Sequence, residues 1–101
     1  MEDMQAVFTE FKAEFPQIYA KYEELGKEIH ESAGPLPEKN RWLIKIAISG
    51  ALSHKRALRT HIRKAKAAGV ATEEIMHALL LLIPTAGFPV FMKAYAELKK
   101  I

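Results

Sequence analysis

The sequence predicts an all-α protein of about six helices, and three observations support this fold class. Apolar residues recur at intervals of three and four along most of the chain, which is the period of a helix with one buried face. No bounded run alternates polar and β-branched residues in the way that a half-buried strand does. Clusters of glycine and proline fall between the periodic segments, where turns are needed.

Two helices are predicted in the first third of the chain. Phe8, Phe11 and Phe15 recur at helical spacing before Pro16, and proline suits the first turn of a following helix. That second helix is predicted to end near Glu31. Its apolar face consists of Ile18, Tyr22, Leu25 and Ile29. The glycine- and proline-containing stretch 32–37 then predicts a loop.

The third and fourth helices are predicted from about Pro37 to Leu52 and from His54 to Ala68. The residues of the third helix that should face inward are Leu43, Ile44, Ala47, Ile48 and Ala51. Ser53 is predicted to cap the start of the fourth helix, and Gly69 is its expected C-terminal glycine.

The fifth helix is predicted to begin after Thr72 as its N-cap, with two glutamates in the first turn, where the helix dipole favours acidic groups. It should run to Pro84, which marks a break or a kink. The last helix is predicted from about Phe88 to Lys99. All six helices are expected to form a single domain over residues 1–101, because domains cluster near ~100–150 residues.

Composition narrows the class of protein. Half of the 101 residues are hydrophobic and 27% are charged, which excludes intrinsic disorder. The absence of cysteine excludes disulfides, iron–sulfur ligation and thiol redox chemistry. The longest apolar run, 78–83, is far shorter than the ~20 residues of a spanning helix. The acidic N-terminus lacks the basic start and apolar core of a signal peptide, so we expect a cytoplasmic protein with no membrane partner.

The charge is unevenly distributed. Residues 1–34 contain eight acidic and three basic side chains, whereas residues 35–101 contain twelve basic and four acidic ones. This asymmetry indicates either a nucleic-acid surface or two parts of the protein that attract each other, and we favour the second interpretation. The fifth helix is apolar nearly all the way round, which predicts a homo-oligomer. A monomer with a well-closed core is the alternative.

His54 and His61 lie two turns apart on the predicted fourth helix and share a face with its apolar residues. Each is either a hydrogen-bonded packing residue or a proton donor or acceptor, because imidazole titrates near neutral pH. Their separation along the helix is about 10 Å, too far for one ion, and His77 does not shorten it. No metal site is therefore expected.

The opposite side of the fourth helix is a basic stripe formed by Arg56, Arg59, Arg63 and Lys66. It is interpreted as a solvated face or as one that meets the acidic N-terminal helices. Nucleic-acid binding is not expected, because no aromatic residue lies between residues 43 and 87 to stack on bases.

A distinctive pattern runs from about Gly34 to Tyr95: GPLPEKNRWLIKIAIS, then LRTHIRKAKAAGVATEEIMHALL, then AGFP. Its most specific parts are His61, Ala65, Gly69–Val70, Thr72–Ile75 and Gly87–Pro89. The pattern resembles the carboxymuconolactone decarboxylase family, which includes the alkylhydroperoxidase D-like proteins. The resemblance implies helical subunits that assemble into trimers or hexamers, with small-molecule pockets near the helix that carries His61.

The peroxidase-like branch of that family carries a Cys-x-x-Cys-x-x-x-His motif and an earlier glutamate in a proton relay. Aligning its histidine with His61 places the two cysteines at His54 and Ala57, and the glutamate at Trp42. Three of the four relay residues are therefore absent. Thiol-dependent peroxidase activity is excluded, because it requires cysteine.

The decarboxylase-like branch lacks those cysteines, and this chain keeps its histidine and its Gly-Phe-Pro turn, with Thr85 where that branch has tyrosine. The resemblance implies a lyase reaction on a small anionic substrate with His61 as proton donor and no cofactor. The candidate substrate-binding residues are Arg41, Trp42, His54, Arg56, Thr85 and Phe88. The alternative is a non-catalytic small-molecule-binding or assembly protein of the same fold.

Overall fold

Helices form all the regular secondary structure in the computed structural model, which describes residues 3–101. In chain order they are α1 (Met4–Glu14), α2 (Pro16–Glu31), α3 (Glu38–Ala51), α4 (Lys55–Ala67), α5 (Thr72–Leu80), α6 (Leu82–Ala86) and α7 (Phe88–Lys99). No strand occurs within this described range. The all-α class is confirmed, and the short α6 is the end of the helix predicted to run to Pro84.

The chain divides into two compact units. The N-terminal unit ends at Pro35 and contains α1 and α2, and the C-terminal unit is Leu36–Ile101 with α3 to α7. The single domain over residues 1–101 stays a prediction. None of the helices in the described part of the chain is long and apolar enough to cross a membrane.

The N-terminal unit is a pair of helices with local capping and aromatic contacts. The Asp3 carboxylate accepts hydrogen bonds from the Gln5 and Ala6 backbone N–H groups, at 3.0 and 3.3 Å, which starts α1. Phe8 of α1 meets Tyr19 of α2 edge to face, with ring centroids 5.4 Å apart. No residue of either helix is buried.

The C-terminal unit holds the hydrophobic core. Eleven buried apolar residues form one cluster, drawn from α3, α4, α5, α6, α7 and the turn after α4. They are Ile46, Leu58, Ile62, Ala65, Val70, Ile75, Leu79, Leu82, Phe91, Ala94 and Leu98. Gly50 brings α3 close to this cluster, because a Cβ at that position would lie 3.1 Å from Cδ1 of Leu82. The core therefore fixes α3 against the helices that follow it.

The predicted inward face of α3 is wrong in part. The buried residues of α3 are Ile46, Ser49 and Gly50, whereas Ile44 is 44% exposed and Ile48 is 53% exposed. Ala51 is also exposed. The prediction placed mainly bulky apolar residues on the inward face. In the structure α3 packs through the face that carries the small residues Ser49 and Gly50, which allow neighbouring helices to approach closely. An apolar face of α3 therefore remains at the surface of the unit.

Two predicted helix starts are displaced by one residue. His54, not Ser53, is the N-cap of α4, and Ser53 adopts a left-handed conformation with φ 56°. Ala71, not Thr72, is the N-cap of α5, because the Glu74 carboxylate accepts a hydrogen bond from the Ala71 N–H at 2.9 Å. Gly69, with φ +92°, ends α4 as predicted.

Pro84 also acts as predicted, because the helical path breaks before it. Proline has no N–H for the carbonyl of Leu80, four residues earlier, and its ring clashes with that carbonyl. The structure has α5 end at Leu80 and α6 begin at Leu82.

Candidate functional site

The candidate site is built on a hydrogen bond between α3 and α4. Oγ of Ser49 lies 2.8 Å from Nδ1 of His61. Ser49 is 4% exposed, and His61 is half-buried next to the fully buried Ile62. Ser49 lies on the buried face of α3, and His61 borders the buried face of α4. The two side chains therefore meet where these helices pack together. It holds the imidazole ring in one orientation.

Trp42 forms an aromatic wall beside this histidine. It lies two turns before Ser49, so the two residues share a side of α3. The Trp42 and His61 ring centroids are 6.1 Å apart, with an angle of 46° between the planes. Trp42 is partly buried and packs against the hydrophobic core. Trp42 therefore lies beside His61, while its role in substrate binding stays a prediction.

Two lysines approach the same indole. Nζ of Lys45, on α3, lies 4.8 Å from the Trp42 ring centroid, and Nζ of Lys64, on α4, lies 5.9 Å from it. Burial lowers the pKa of the Lys45 ammonium below its ordinary value, and the positive charge of Lys64 lowers it further. The site thus combines an imidazole, an indole and two amino groups.

Sequence reasoning missed Ser49, Lys45 and Lys64. Helical spacing could have placed each lysine beside a predicted site residue, because Lys45 follows Trp42 by three residues and Lys64 follows His61 by three. Only the packing of α3 on α4 shows that these two rows of residues meet.

The predicted arginines and His54 lie near the starts of α3 and α4. Nη1 of Arg41 donates a hydrogen bond to the Leu36 carbonyl at 2.7 Å, which ties its guanidinium to the start of α3. Arg56 is exposed in the first turn of α4. His54 is exposed at the N-cap of α4, outside the helix that was predicted to hold both histidines on one face. The described contacts place none of these three beside the His61 ring.

Thr85 and Phe88 line other surfaces. Thr85, in α6, borders a groove of about 420 Å³ whose other lining residues include Leu43, Ile44 and Leu81. Phe88 is 57% exposed, and its ring centroid lies 6.0 Å from that of Phe91. A second groove of about 620 Å³ is lined mainly by residues of α5 and α7. Neither of these two grooves is lined by His61.

No metal centre is found among residues 3–101. Within this range no group of three or more histidine, aspartate or glutamate side chains is arranged to hold a metal ion. The polar groups described around His61 are its imidazole, the Ser49 hydroxyl and the amino groups of Lys45 and Lys64.

Comparison with known protein families identifies the family of this chain. The model of the carboxymuconolactone decarboxylase family matches residues 16–100. The chain belongs to this family. The match begins at the first residue of α2 and includes every residue of the site around His61. No curated protein matches the chain.

Membership of the carboxymuconolactone decarboxylase family agrees with the resemblance found in the sequence. The protein is a carboxymuconolactone decarboxylase-like or alkylhydroperoxidase D-like protein. It is a cysteine-less member, since no cysteine occurs in its 101 residues.

Proposed function

We propose that this member of the carboxymuconolactone decarboxylase family is a lyase that decarboxylates a small anionic substrate, with His61 as the proton donor. The observation that carries the proposal is the 2.8 Å hydrogen bond between Ser49 and His61. It orients a half-buried imidazole beside an indole and two amino groups, and such a setting suits acid–base catalysis.

Ser49 sets the state of the imidazole in this mechanism. When Nδ1–H of His61 donates its hydrogen bond to Oγ of Ser49, Nε2 is the nitrogen that faces the substrate: it carries a proton in the imidazolium and can accept one in the neutral ring. In a decarboxylation the bond to the carboxylate breaks, CO2 leaves and the electron pair stays on the conjugated carbon chain. The imidazolium of His61 then transfers its Nε2 proton to the substrate carbon and becomes the neutral ring.

Lys45 and Lys64 take the anion-binding role that sequence reasoning gave to Arg41 and Arg56. Their amino groups, from two different helices, both lie within about 6 Å of the Trp42 ring centroid. Ammonium groups at this position attract a carboxylate and stabilise the negative charge that develops when CO2 leaves. Trp42, which packs against the hydrophobic core, supplies an apolar wall beside these charges.

The test is His61→Asn, assayed by CO2 release from a carboxymuconolactone and by thermal denaturation. We expect turnover to fall by ~10²–10⁴-fold, because a general acid contributes about that much. The melting temperature and the oligomeric state should change little. A large drop in melting temperature with unaltered turnover would remove His61 from the mechanism and make it a packing residue.

A non-catalytic small-molecule-binding protein is the second candidate. It is favoured by the absence of three of the four relay residues of the peroxidase-like branch, at Trp42, His54 and Ala57. In this case the wild-type protein binds a carboxymuconolactone, measured by calorimetry, and releases no CO2. His61→Asn would then weaken binding without any turnover to lose.

We also propose that the protein is a homo-oligomer, a trimer or a hexamer as the family resemblance implies. Each unit exposes large apolar side chains that a further subunit would cover: Ile18, Tyr22, Leu25 and Ile29 in the N-terminal unit, and Ile44, Ile48, Leu52 and Leu81 in the C-terminal unit. Size-exclusion chromatography with light scattering tests this. A species of 11.4 kDa at micromolar concentration would contradict it. A cytoplasmic location and the absence of nucleic-acid binding stay predictions.

A further inference from the structure

The two lysines beside Trp42 offer a chemistry that proton donation by His61 does not use. We propose that Lys45 is an amine nucleophile that condenses with the carbonyl carbon of a small oxo acid to form an imine, while Lys64 holds the carboxylate of that acid. This inference rests on the proposed function in one respect, namely that small anionic substrates bind beside His61.

The geometry places three complementary groups around one ring. Lys45 approaches the Trp42 indole at 4.8 Å from α3, and Lys64 approaches it at 5.9 Å from α4. The His61 ring centroid lies 6.1 Å from the same indole. An amine, a second cation and a proton carrier are the groups that imine formation with an oxo acid requires.

The surroundings of Lys45 lower the pKa of its ammonium and so raise the fraction of neutral amine, which is the reactive form. Lys45 is half-buried against Trp42, and burial lowers its pKa. From α4, the positive charge of Lys64 lowers this pKa further, and the His61 ring lies beside the same indole. Of the acidic residues on other helices packed against α3, Glu74 pairs with Lys39 and Glu97 pairs with Arg59 and Lys100, at 3.2 Å each.

The reaction balances without an oxidant or a reductant. The neutral Nζ of Lys45 attacks the carbonyl carbon, a C–N bond forms, and the carbonyl π electrons move to oxygen. Nζ loses a proton to Nε2 of the neutral His61 ring, and the oxygen gains one from solvent to give a carbinolamine. The imidazolium of His61 then protonates the hydroxyl, water leaves, and the nitrogen lone pair forms the iminium. The net change is the loss of one water and the uptake of one proton.

The iminium also explains how the proposed lyase reaction would proceed on a 3-oxo acid. The bond to the carboxylate breaks, CO2 leaves, and its electron pair flows into the iminium to give an enamine. His61 takes up a proton from solvent and transfers it to the enamine carbon, which regenerates the iminium. Water then hydrolyses the iminium to release the ketone and restore Lys45. The substrate class assigned to the site is therefore a small oxo acid.

The experiment traps the imine in the full-length protein. The protein is incubated with pyruvate and sodium cyanoborohydride, which reduces an imine to a stable secondary amine, and is then analysed by intact mass and peptide mapping. We expect one reduced adduct per chain, located at Lys45. Lys45→Arg keeps a cation over the indole and removes the nucleophile, so the adduct should be lost while the melting temperature is retained.

Two further variants distinguish a specific reaction at Lys45 from nonspecific labelling of surface lysines. Lys64→Met should lower the adduct yield at neutral pH severalfold, because Lys45 becomes more protonated and the substrate carboxylate loses its cation. Lys93→Met, at an exposed position of α7, should leave the yield unchanged. Adducts spread over several lysines, with a yield that Lys45→Arg does not change, would overturn the inference.

Parallel CO2 assays with acetoacetate and with a carboxymuconolactone distinguish this inference from the proposed function. CO2 release that depends on His61 but survives Lys45→Arg would overturn the imine and leave the lyase intact. A Lys45 adduct with no CO2 release from either compound would support the imine and overturn the lyase.

Discussion

The Ser49 hydroxyl and the His61 imidazole form a 2.8 Å hydrogen bond that joins α3 to α4. Ser49 is only 4% exposed, so its hydroxyl is shielded from water and hydrogen-bonds to His61 instead. The same bond orients the ring that we propose as the proton donor. Stability and activity are therefore coupled at one pair of atoms.

Replacing Ser49 by alanine tests this coupling. Nδ1 of His61 loses the hydroxyl, and we expect a loss of roughly 1–3 kcal/mol in the free energy of unfolding, as for other polar groups deprived of a partner. Turnover should also fall, because the imidazole is no longer held in one tautomer. Urea denaturation and CO2 release measure the two effects. Ser32→Ala, at an exposed position, is the control and should change neither.

Arg59→Met tests an ion pair that links α4 to α7. The Glu97 side chain is only 3% exposed, and its carboxylate oxygens lie 3.2 Å from Nε of Arg59 and 3.2 Å from Nζ of Lys100. Losing the Arg59 partner should cost about 1–3 kcal/mol, less than for a fully buried pair because Arg59 itself is partly exposed. Lys100→Met, which removes the more exposed cation, should cost less. Equal effects of the two variants in denaturation curves would contradict this account.

Glu74 should make stability depend on pH in the acidic range. Its pKa is lowered by the hydrogen bond from the Ala71 N–H, and then by Lys39, whose Nζ lies 3.2 Å from its carboxylate. A depressed pKa means that the ionised form stabilises the fold above the unfolded-state pKa, and that this contribution is lost as pH falls through the folded-state pKa. The stability difference between wild type and Glu74→Ala should therefore shrink on acidification.

Glu73→Ala is the matched control for that measurement, because Glu73 lies in the same first turn of α5 and is exposed. Thermal melts at a series of pH values compare the two variants. A Glu74→Ala difference that stays constant down to strongly acidic pH would rule out this role for the carboxylate.

The same glycine-to-alanine change should have different effects in two helices. Gly26 lies inside α2, and a Cβ there would meet nothing within 4 Å. Gly26→Ala should therefore raise stability by up to ~1 kcal/mol through helix propensity. At Gly50 a Cβ would lie 3.1 Å from Leu82 and 3.4 Å from Ala94, so Gly50→Ala should be less favourable than Gly26→Ala. Chemical denaturation of the two variants gives the comparison directly.

The absence of cysteine predicts that the protein has no thiol-dependent peroxidase activity. Neither a sulfenic acid nor a disulfide can form, so dithiol-linked reductants should sustain no peroxide consumption. A coupled assay with hydrogen peroxide and dihydrolipoamide measures this. Sustained peroxide consumption by metal-free protein would show that another chemical route exists.

The positions of the helices were predictable from the sequence, but which face of each helix is buried was harder to predict. Periodic apolar residues, Pro16, Gly69 and Pro84 correctly placed the helices and their ends within a few residues. The prediction that Ile44 and Ile48 face inward was wrong, because α3 packs against its neighbours through the side that carries Ser49 and Gly50. Side-chain size and the approach of neighbouring helices decide such a face, and hydropathy does not report them.

The candidate site was predictable only where the family resemblance supplied a residue. That resemblance identified His61, and the Trp42 ring, at the position of the family's glutamate, lies 6.1 Å from it. Ser49 and Lys64 contact these residues across the boundary between α3 and α4, so their roles depend on the register of two helices. Register follows from the packing of the whole core, which no local sequence pattern encodes.

Trp42 is the protein's single tryptophan, and this gives the site an optical reporter of its own. Indole emission responds to nearby cations and to the polarity around the ring, and here those neighbours are Lys45, Lys64 and His61. Ultraviolet excitation of the unlabelled protein at wavelengths selective for tryptophan therefore observes one position. A ligand entering beside His61, or a change in charge at either lysine, should be visible as a change in intensity or wavelength without any added dye.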